Sequence, residues 1–181
     1  LLAETRKFDI QTYVIDPSKE APCQFGATEF FIGDLMDFEA IYEFGKKVNL
    51  LTIEIENVNL DALDKLEAEG LPIFPSPKTL RLIQNKGRQK DFYVENNIPT
   101  SPHKRFVNLN DLRKSSEKDE LEFPFVWKCA QFGYDGNGVK IVRSTIDLVN
   151  LPDVECIAEH MVPLKNELAI IVPRSVSVEL K

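Results

Sequence analysis

Short apolar runs alternate with helical patterns over the first 75 residues. Residues 12–15, 29–32 and 50–56 are rich in β-branched, aromatic and other apolar side chains, and each run predicts a strand. Apolar residues recur at helical spacing after Asp37 and after Asn59, two residue types that cap helix N-termini. Strands that alternate with short helices favour an α/β domain with a largely parallel sheet.

The pattern changes at residue 75. Ser76 can cap a helix in which Pro77 takes the first position, and residues 89–96 predict a second helix. Residues 98–102 contain two prolines and predict an extended linker. Beyond the linker the sequence predicts strands at 103–107, 124–130, 139–143, 154–160 and 167–172, and a helix at 110–120. The predicted organisation is an α/β domain at 1–75, connecting helices at 76–100, a strand-rich subdomain at 101–165 and the start of a further sheet at 166–181.

Composition argues against several classes of protein. The 181 residues include 22 Lys+Arg and 29 Asp+Glu, a net charge of −7, which argues against a nucleic-acid partner. The apolar run at 168–172 is far shorter than the ~20 residues of a membrane-spanning helix. Three widely spaced cysteines, Cys23, Cys129 and Cys156, lack C-x-x-C spacing, so we expect no disulfide framework or zinc site and a cytoplasmic location.

The segment FPFVWKCAQFGYDGNGVKIVR is the most informative one for chemistry. Asp-Gly and Asn-Gly between two β-rich runs predict a β-hairpin. Lys128 lies in the first run, and because an ammonium is costly to bury alone, it either points to solvent on an edge strand or faces an anion. A lysine beside a glycine-rich hairpin favours a nucleoside triphosphate as ligand. No G-K-[ST] follows Gly138, and a strand comes next, which excludes a Walker A loop and a dinucleotide fingerprint.

Four sequence blocks resemble, in the same order, those of the 5-(carboxyamino)imidazole ribonucleotide synthetases, a family of the ATP-grasp superfamily. The blocks are LTIEIENVNLDALDKLEAEG, IFPSPKTLRLIQNKGRQKDFYVENNIPTSP, FPFVWKCAQFGYDGNG and ECIAEHMVPLKNELAIIVPR. The resemblance implies a parallel-sheet α/β (pre-ATP-grasp) domain followed by an incomplete ATP-grasp domain, in a homodimer. It also implies that a glycine-rich loop precedes Leu1, and that the magnesium-binding Glu and Asn follow Lys181.

The resemblance further implies an activity, the ATP- and bicarbonate-dependent carboxylation of the amine of 5-aminoimidazole ribonucleotide in purine biosynthesis. Carboxyphosphate would be the intermediate. Positioning and charge neutralisation carry such chemistry, and no catalytic residue is assigned. Mg²⁺ would bridge the phosphates, with ligands outside this chain. Two alternatives stay open: another ATP-grasp carboxylate–amine ligase, and a non-catalytic nucleotide-binding module.

The resemblance also implies a set of ATP-binding residues. They are Lys86, Lys128, Gly133, Tyr134, Asp135, Gly136, Asn137, Gly138, Val139, Glu159, His160, Met161, Val162 and Glu167. In this set the two lysines match residues that hold the phosphates, residues 133–139 match a lid loop, residues 159–162 match the hinge that holds adenine, and Glu167 matches the carboxylate that binds the ribose hydroxyls. Lys86 could instead be a solvated helix lysine, and Glu159 and Glu167 ordinary strand carboxylates. Asn137 and Val139 stand where the family usually has Arg and Gln.

Three residues match the ribonucleotide site: Glu56, Tyr134 and Asp135. Glu54 and Glu56 alternate with isoleucines, so both carboxylates are predicted to share one strand face near its carboxyl end, where ligands bind in open α/β sheets. The resemblance favours Glu56 as the contact to the ribonucleotide. Asp135 could equally be a turn-forming residue.

Overall fold

The computed structural model describes residues 1–131 and 138–172. The N-terminal part alternates strands and helices, as predicted. Its elements are α1 (Leu2–Thr5), β1 (Tyr13–Asp16), β2 (Glu29–Ile32), α2 (Phe38–Gly45), β3 (Leu51–Thr52), α3 (Leu60–Ala68), β4 (Ile73–Phe74) and α4 (Pro77–Ile83). Strand β1 pairs with β2 and β3 with β4, both in parallel. The predicted parallel α/β architecture is therefore confirmed.

Capping side chains start the helices of this part. The side chain of Asp37 accepts a hydrogen bond from the backbone N–H of Ala40 at 2.7 Å, and Asn59 accepts one from Ala62 at 2.9 Å. Ser76 serves α4 in the same way, with Pro77 as the first helical residue. Each cap satisfies an amide that has no partner inside its helix, and all three caps were predicted.

One apolar core holds the N-terminal elements together. Helices α2, α3 and α4 bury their apolar faces against β3 and β4. The fully buried members of this core are Ile41, Phe44, Leu51, Val58, Ala62, Leu63, Leu66, Ile73 and Leu80. Gly45 has no space for a Cβ because Leu66 of α3 lies directly against it, so α2 and α3 pack closely.

The strand predicted at 50–56 is wrong beyond its first residues. The amide of Ile53 still donates to the carbonyl of Phe74 at 3.0 Å, but the amide that would continue this parallel ladder is that of Ser76, and Ser76 is already the N-cap of α4. Residues 54–56 therefore leave the sheet in a bend. Glu54 and Glu56 do not share a strand face, and Ile55 is 51% exposed.

Two segments connect the halves of the chain. Helix α5 (Lys86–Glu95) begins three residues before the predicted position, because Asn85 caps it by accepting a hydrogen bond from the amide of Arg88 at 3.0 Å. Residues 98–102 follow without helix or strand, as predicted. The polypeptide then enters the strand-rich part.

A four-stranded antiparallel sheet forms the C-terminal part. Its elements are β5 (His103–Phe106), α6 (Leu109–Glu117), β6 (Phe125–Cys129), β7 (Val139–Val142) and β8 (Cys156–His160), and the strand order is β5-β8-β6-β7. The amide of Cys129 donates to the carbonyl of Gly138 at 2.8 Å, so the predicted hairpin between β6 and β7 is confirmed.

One face of this sheet carries a second core. Its buried members are Phe106, Leu109, Leu112, Phe125, Trp127, Val142, Leu148, Leu151, Cys156 and Ala158. They come from the sheet, from α6 and from a 3₁₀ helix at Thr145–Asn150. The strand predicted at 167–172 is wrong, because residues 161–172 form neither helix nor strand; a strand requires a neighbour for its backbone groups, and none of the described strands runs beside them.

Candidate functional site

Glu159 is the centre of a polar cluster on the sheet. Its side chain is 8% exposed, and its Oε2 lies 2.9 Å from the Nζ of Lys128 while Oε1 lies 3.3 Å from the Nζ of Lys90. Ser101 donates its hydroxyl to Oε2 at 3.1 Å. Lys90 also donates to Thr100 Oγ1 at 2.6 Å. Glu159 thus has the partners that a buried carboxylate requires.

Strand register explains why Lys128 and Glu159 meet. Val126 lies opposite Glu159, and Lys128 lies opposite Ile157, so the lysine and the glutamate project from the same face of the sheet on neighbouring strands. Helix α5 contributes Lys90 to this face. Because β6 lies between β8 and β7, the alternative that Lys128 points to solvent from an edge strand is wrong.

The electrostatics of the cluster leave a positive charge in excess. Burial raises the pKa of Glu159, but the hydrogen bond and charge of Lys128, and then those of Lys90, outweigh burial and hold this pKa below its ordinary value. Glu159 is therefore ionised at neutral pH. Two ammonium groups share one carboxylate, so the cluster has one surplus cation that an anionic ligand could neutralise.

The N-terminus of α5 is fastened to the base of the hairpin. The amide of Lys86 donates to the carbonyl of Ala130 at 2.9 Å. A Cβ on Gly87 would lie 2.6 Å from Nε of Arg105, so helix and sheet approach each other closely here. Arg105 in turn pairs with Glu155 at 3.1 Å. Lys86 therefore starts its helix beside the strand that carries Lys128.

A cavity of about 330 Å³ joins the two halves of the candidate site. Glu56, Gln84, Lys86 and Gln131 are among its lining residues. It brings the residue predicted for the ribonucleotide, Glu56, to the same space as the lysine predicted for the phosphates. Gln131 follows β6 at the base of the hairpin, so the cavity extends to this base.

The described part of the lid is its second strand. Gly138 has a φ of +71°, a conformation that favours glycine, and Val139 pairs with Lys128 across the hairpin. Val139 is 38% exposed. The other predicted lid residues, Gly133, Tyr134, Asp135, Gly136 and Asn137, lie outside the described residues.

The predicted hinge lies where β8 ends. His160 is its last residue, and Met161 and Val162 follow with 37% and 47% exposure. The His160 ring nitrogen Nδ1 is 3.9 Å from a carboxylate oxygen of Glu122. The hinge thus begins at Glu159, the buried centre of the polar cluster, and continues into the more exposed residues 160–162.

Glu167 is not brought to this cluster. It lies in the segment that forms no strand, it is exposed, and no hydrogen bond or ion pair connects it to another residue in the described parts of the chain. Its assignment to the ribose hydroxyls stays a prediction.

Lys90 and Ser101 are members of the cluster that the sequence analysis did not identify. Lys90 is four residues after Lys86, a spacing that puts both on the same face of α5, but the predicted helix began at residue 89 and left Lys86 outside it. Ser101 gave no signal in the sequence, since only the folded chain places the linker next to β8.

Residues 1–131 and 138–172 contain neither a membrane-spanning helix nor a cluster of metal-ligating side chains. None of the helices found there is long and apolar enough to cross a membrane. In those same ranges, His, Cys, Asp and Glu side chains form no group of three or more that could hold a metal ion.

Comparison with protein families matches both parts of the chain. Residues 1–84 match the ribonucleotide synthetase preATP-grasp domain, and residues 91–181, half of the chain, match the ATP-grasp domain. The two matches follow each other in the order of the two cores.

Individual relatives agree with these domains. A chloroplastic phosphoribosylaminoimidazole carboxylase from Vigna aconitifolia is 32% identical over 91% of this chain and 30% of its own length. The crystal structure of N5-carboxyaminoimidazole ribonucleotide synthetase from Thermotoga maritima is 31% identical with a TM-score of 0.78, over 91% of this chain and 43% of that one. An Aspergillus clavatus N5-carboxyaminoimidazole synthase in complex with ADP and 5-aminoimidazole ribonucleotide is 26% identical with a TM-score of 0.75, over 91% and 44%. The chain spans less than half the length of these relatives.

Proposed function

Because the chain belongs to the ATP-grasp family, we propose that it is the nucleotide-binding part of a ligase that carboxylates 5-aminoimidazole ribonucleotide with ATP and bicarbonate. Its relatives support this choice, since they are N5-carboxyaminoimidazole ribonucleotide synthetases and phosphoribosylaminoimidazole carboxylases, and the Aspergillus structure holds ADP and this ribonucleotide.

The observation that carries the proposal is the cluster of two lysines on one buried carboxylate. A triphosphate needs cations that are already fixed in place, because ordering flexible lysines at binding would reduce affinity. Lys128 and Lys90 are held by Glu159 at 2.9 and 3.3 Å, and their surplus charge lies beside the glycine-rich hairpin. We assign the phosphates to Lys128 and Lys86.

The other ATP contacts are proposed from the family resemblance. We assign adenine to the hinge at 159–162, where β8 gives way to exposed backbone, and the ribose hydroxyls to Glu167. The hairpin at 133–139 would cover the phosphates. Its closure would exclude water from an intermediate that water destroys.

The proposed reaction has two steps. A bicarbonate oxygen attacks the γ-phosphorus, the bond to the bridging oxygen of ADP breaks, and carboxyphosphate forms. The exocyclic amine of the ribonucleotide then attacks the carbonyl carbon, phosphate leaves, and the nitrogen loses a proton. Glu56 would bind the ribonucleotide in the cavity that also contains Lys86, with Tyr134 and Asp135 as the lid contacts.

Three further features belong to the proposal. Mg²⁺ would neutralise charge on the phosphates. The homodimer is proposed from the family resemblance alone. A cytoplasmic location is proposed from the cysteine pattern, although the Vigna relative is a chloroplastic protein.

Phosphate release from ATP by the complete protein tests the function. We expect release to rise only when bicarbonate and 5-aminoimidazole ribonucleotide are both present. Lys128→Met should lose this rise, and Lys140→Met should keep it, because Lys140 lies on the neighbouring strand with its Nζ on the carbonyl of Asn150. A rate of phosphate release that does not depend on the ribonucleotide would indicate another ATP-grasp ligase. ATP binding without any phosphate release would indicate a non-catalytic module.

A further inference from the structure

We propose that the adjacent residues Gln84 and Asn85 are positioning residues that face opposite ways. Gln84 would fix the segment that carries Glu56 on the ribonucleotide side. Asn85 would fix the start of α5, and with it Lys86, on the nucleotide side. The inference rests on the proposed function, because it deepens the roles of Glu56 and Lys86.

Gln84 holds the segment after β3 by its amide nitrogen. Nε2 donates to the carbonyl of Glu56 at 2.6 Å and to the carbonyl of Val58 at 3.0 Å. Only the nitrogen of the amide can serve two carbonyl oxygens, so these partners determine its orientation. Residues 54–56 have left the sheet and have no strand hydrogen bonds there. The hydrogen bonds from the side chain of Gln84 hold the backbone at Glu56 instead.

Asn85 holds the other side with both atoms of its amide. Oδ1 accepts from the amide of Arg88 and caps α5 at 3.0 Å, while Nδ2 donates to Oε2 of Glu155 at 3.3 Å. The residue is 3% exposed. Glu155 precedes β8, so this contact ties the helix that begins with Lys86 to the sheet that carries Lys128.

The backbone explains why neighbouring residues serve different sides. Gln84 still has helical dihedral angles, with φ −64° and ψ −15°, whereas Asn85 is extended, with φ −126° and ψ 108°. The chain therefore turns sharply between them. One side chain reaches the N-terminal core and the other reaches the sheet.

Isosteric variants of the complete protein separate the two roles. Gln84→Glu removes both donors and places a carboxylate against two carbonyl oxygens. We expect the KM for the ribonucleotide to rise about tenfold, with the KM for ATP changed less than about twofold.

Asn85→Asp keeps the cap but sets a carboxylate against Glu155. We expect the opposite selectivity, a rise of about tenfold in the KM for ATP only.

A rescue variant distinguishes positioning from general destabilisation. In Asn85→Asp combined with Glu155→Gln, the glutamine amide can donate to Asp while its oxygen still accepts from Arg105. We expect the KM for ATP to return to within about threefold of the wild-type value. Each single variant is the matched control of the other. Equal rises in both KM values for both variants, or no recovery in the double variant, would overturn the inference.

Hydrogen exchange of the ligand-free protein tests the positioning without the reaction. We expect Gln84→Glu to speed exchange at the amide of Val58, and Asn85→Asp to speed exchange at the amide of Lys86. If the wild-type protein does not use the ribonucleotide, the proposed function fails while these exchange patterns still decide the inference. Unchanged exchange at both amides would refute the positioning roles.

Discussion

At the scale of single residues, the charge of Glu159 contributes directly to the stability of the fold. Its folded pKa lies below the ordinary 4.5, so its ionised form contributes stability that is complete above that pH and is lost as pH falls through the folded pKa. We expect Glu159→Gln to lower the free energy of unfolding by about 3 kcal/mol at neutral pH, because two lysines lose their anion. The deficit should shrink below pH 4.5.

Urea unfolding of the two proteins across this pH range measures the deficit. Glu67→Gln is the control, because Glu67 is exposed on α3 and should give the wild-type curve. A deficit of the same size at every pH would mean that Glu159 contributes by packing and not by charge.

The thiol of Cys156 has the opposite pH dependence. Burial raises the pKa of Cys156 from 9.0 to about 11, so the fold favours the protonated thiol. Its contribution is complete below pH 9.0 and falls as pH rises toward about 11. We expect the wild-type protein to lose about 2–3 kcal/mol more than Cys156→Ala over this range, as measured by urea unfolding.

A matched cysteine checks that assignment. Cys23 is half-buried, and Cys23→Ala should keep the alkaline loss of the wild-type protein. An alkaline loss that persists in Cys156→Ala would assign it to other groups.

At the scale of elements, α3 depends on its cap. Asn59 accepts a hydrogen bond from the amide of Ala62 and donates one to the carbonyl of Met36 at 2.8 Å. We expect Asn59→Ala to lower the free energy of unfolding by about 1–2 kcal/mol. Asn59→Asp keeps the cap and should lose less than Asn59→Ala. Equal losses in the two variants, measured by denaturant unfolding, would show that the cap contributes little.

Local signals predicted the elements whose causes lie within a few residues. Asp37, Asn59 and Ser76 cap their helices as expected, because a cap needs only a side chain and an amide three residues on. The end of β3 could not be predicted from its own residues, since it depends on where the partner strand gives way to α4. Residues 167–172 have the composition of a strand, but only a neighbouring strand could make them one.

In the candidate site, too, some residues could be predicted from the sequence and others depend on the fold. Sequence composition predicted Lys128 as an unusual charge in an apolar strand, and the resemblance predicted Glu159. Their ion pair at 2.9 Å depends on the register of β6 against β8, which no local pattern encodes. Lys90 was missed because the predicted helix began at residue 89, and Ser101 required the tertiary fold.

At the scale of the whole molecule, α5 lies between two parts of the chain that have separate cores. Gln84 bonds to the segment that carries Glu56 on the N-terminal side, and Asn85 and Lys86 bond to the sheet that carries Lys128. A ligand between the cores would therefore be held by residues from each. This arrangement fits a reaction in which a nucleotide and a second substrate must be aligned.

The affinity of the complete protein for ATP, measured by titration calorimetry on Lys128→Met and Lys140→Met, tests the phosphate-binding role of Lys128 most directly. Methionine retains most of the apolar stem of lysine and removes its charge. We expect Lys128→Met to bind ATP about 10- to 100-fold more weakly, since a charge-assisted contact is lost, and Lys140→Met to bind it with the wild-type affinity. A folded Lys128→Met protein with unchanged affinity for ATP would contradict the assignment.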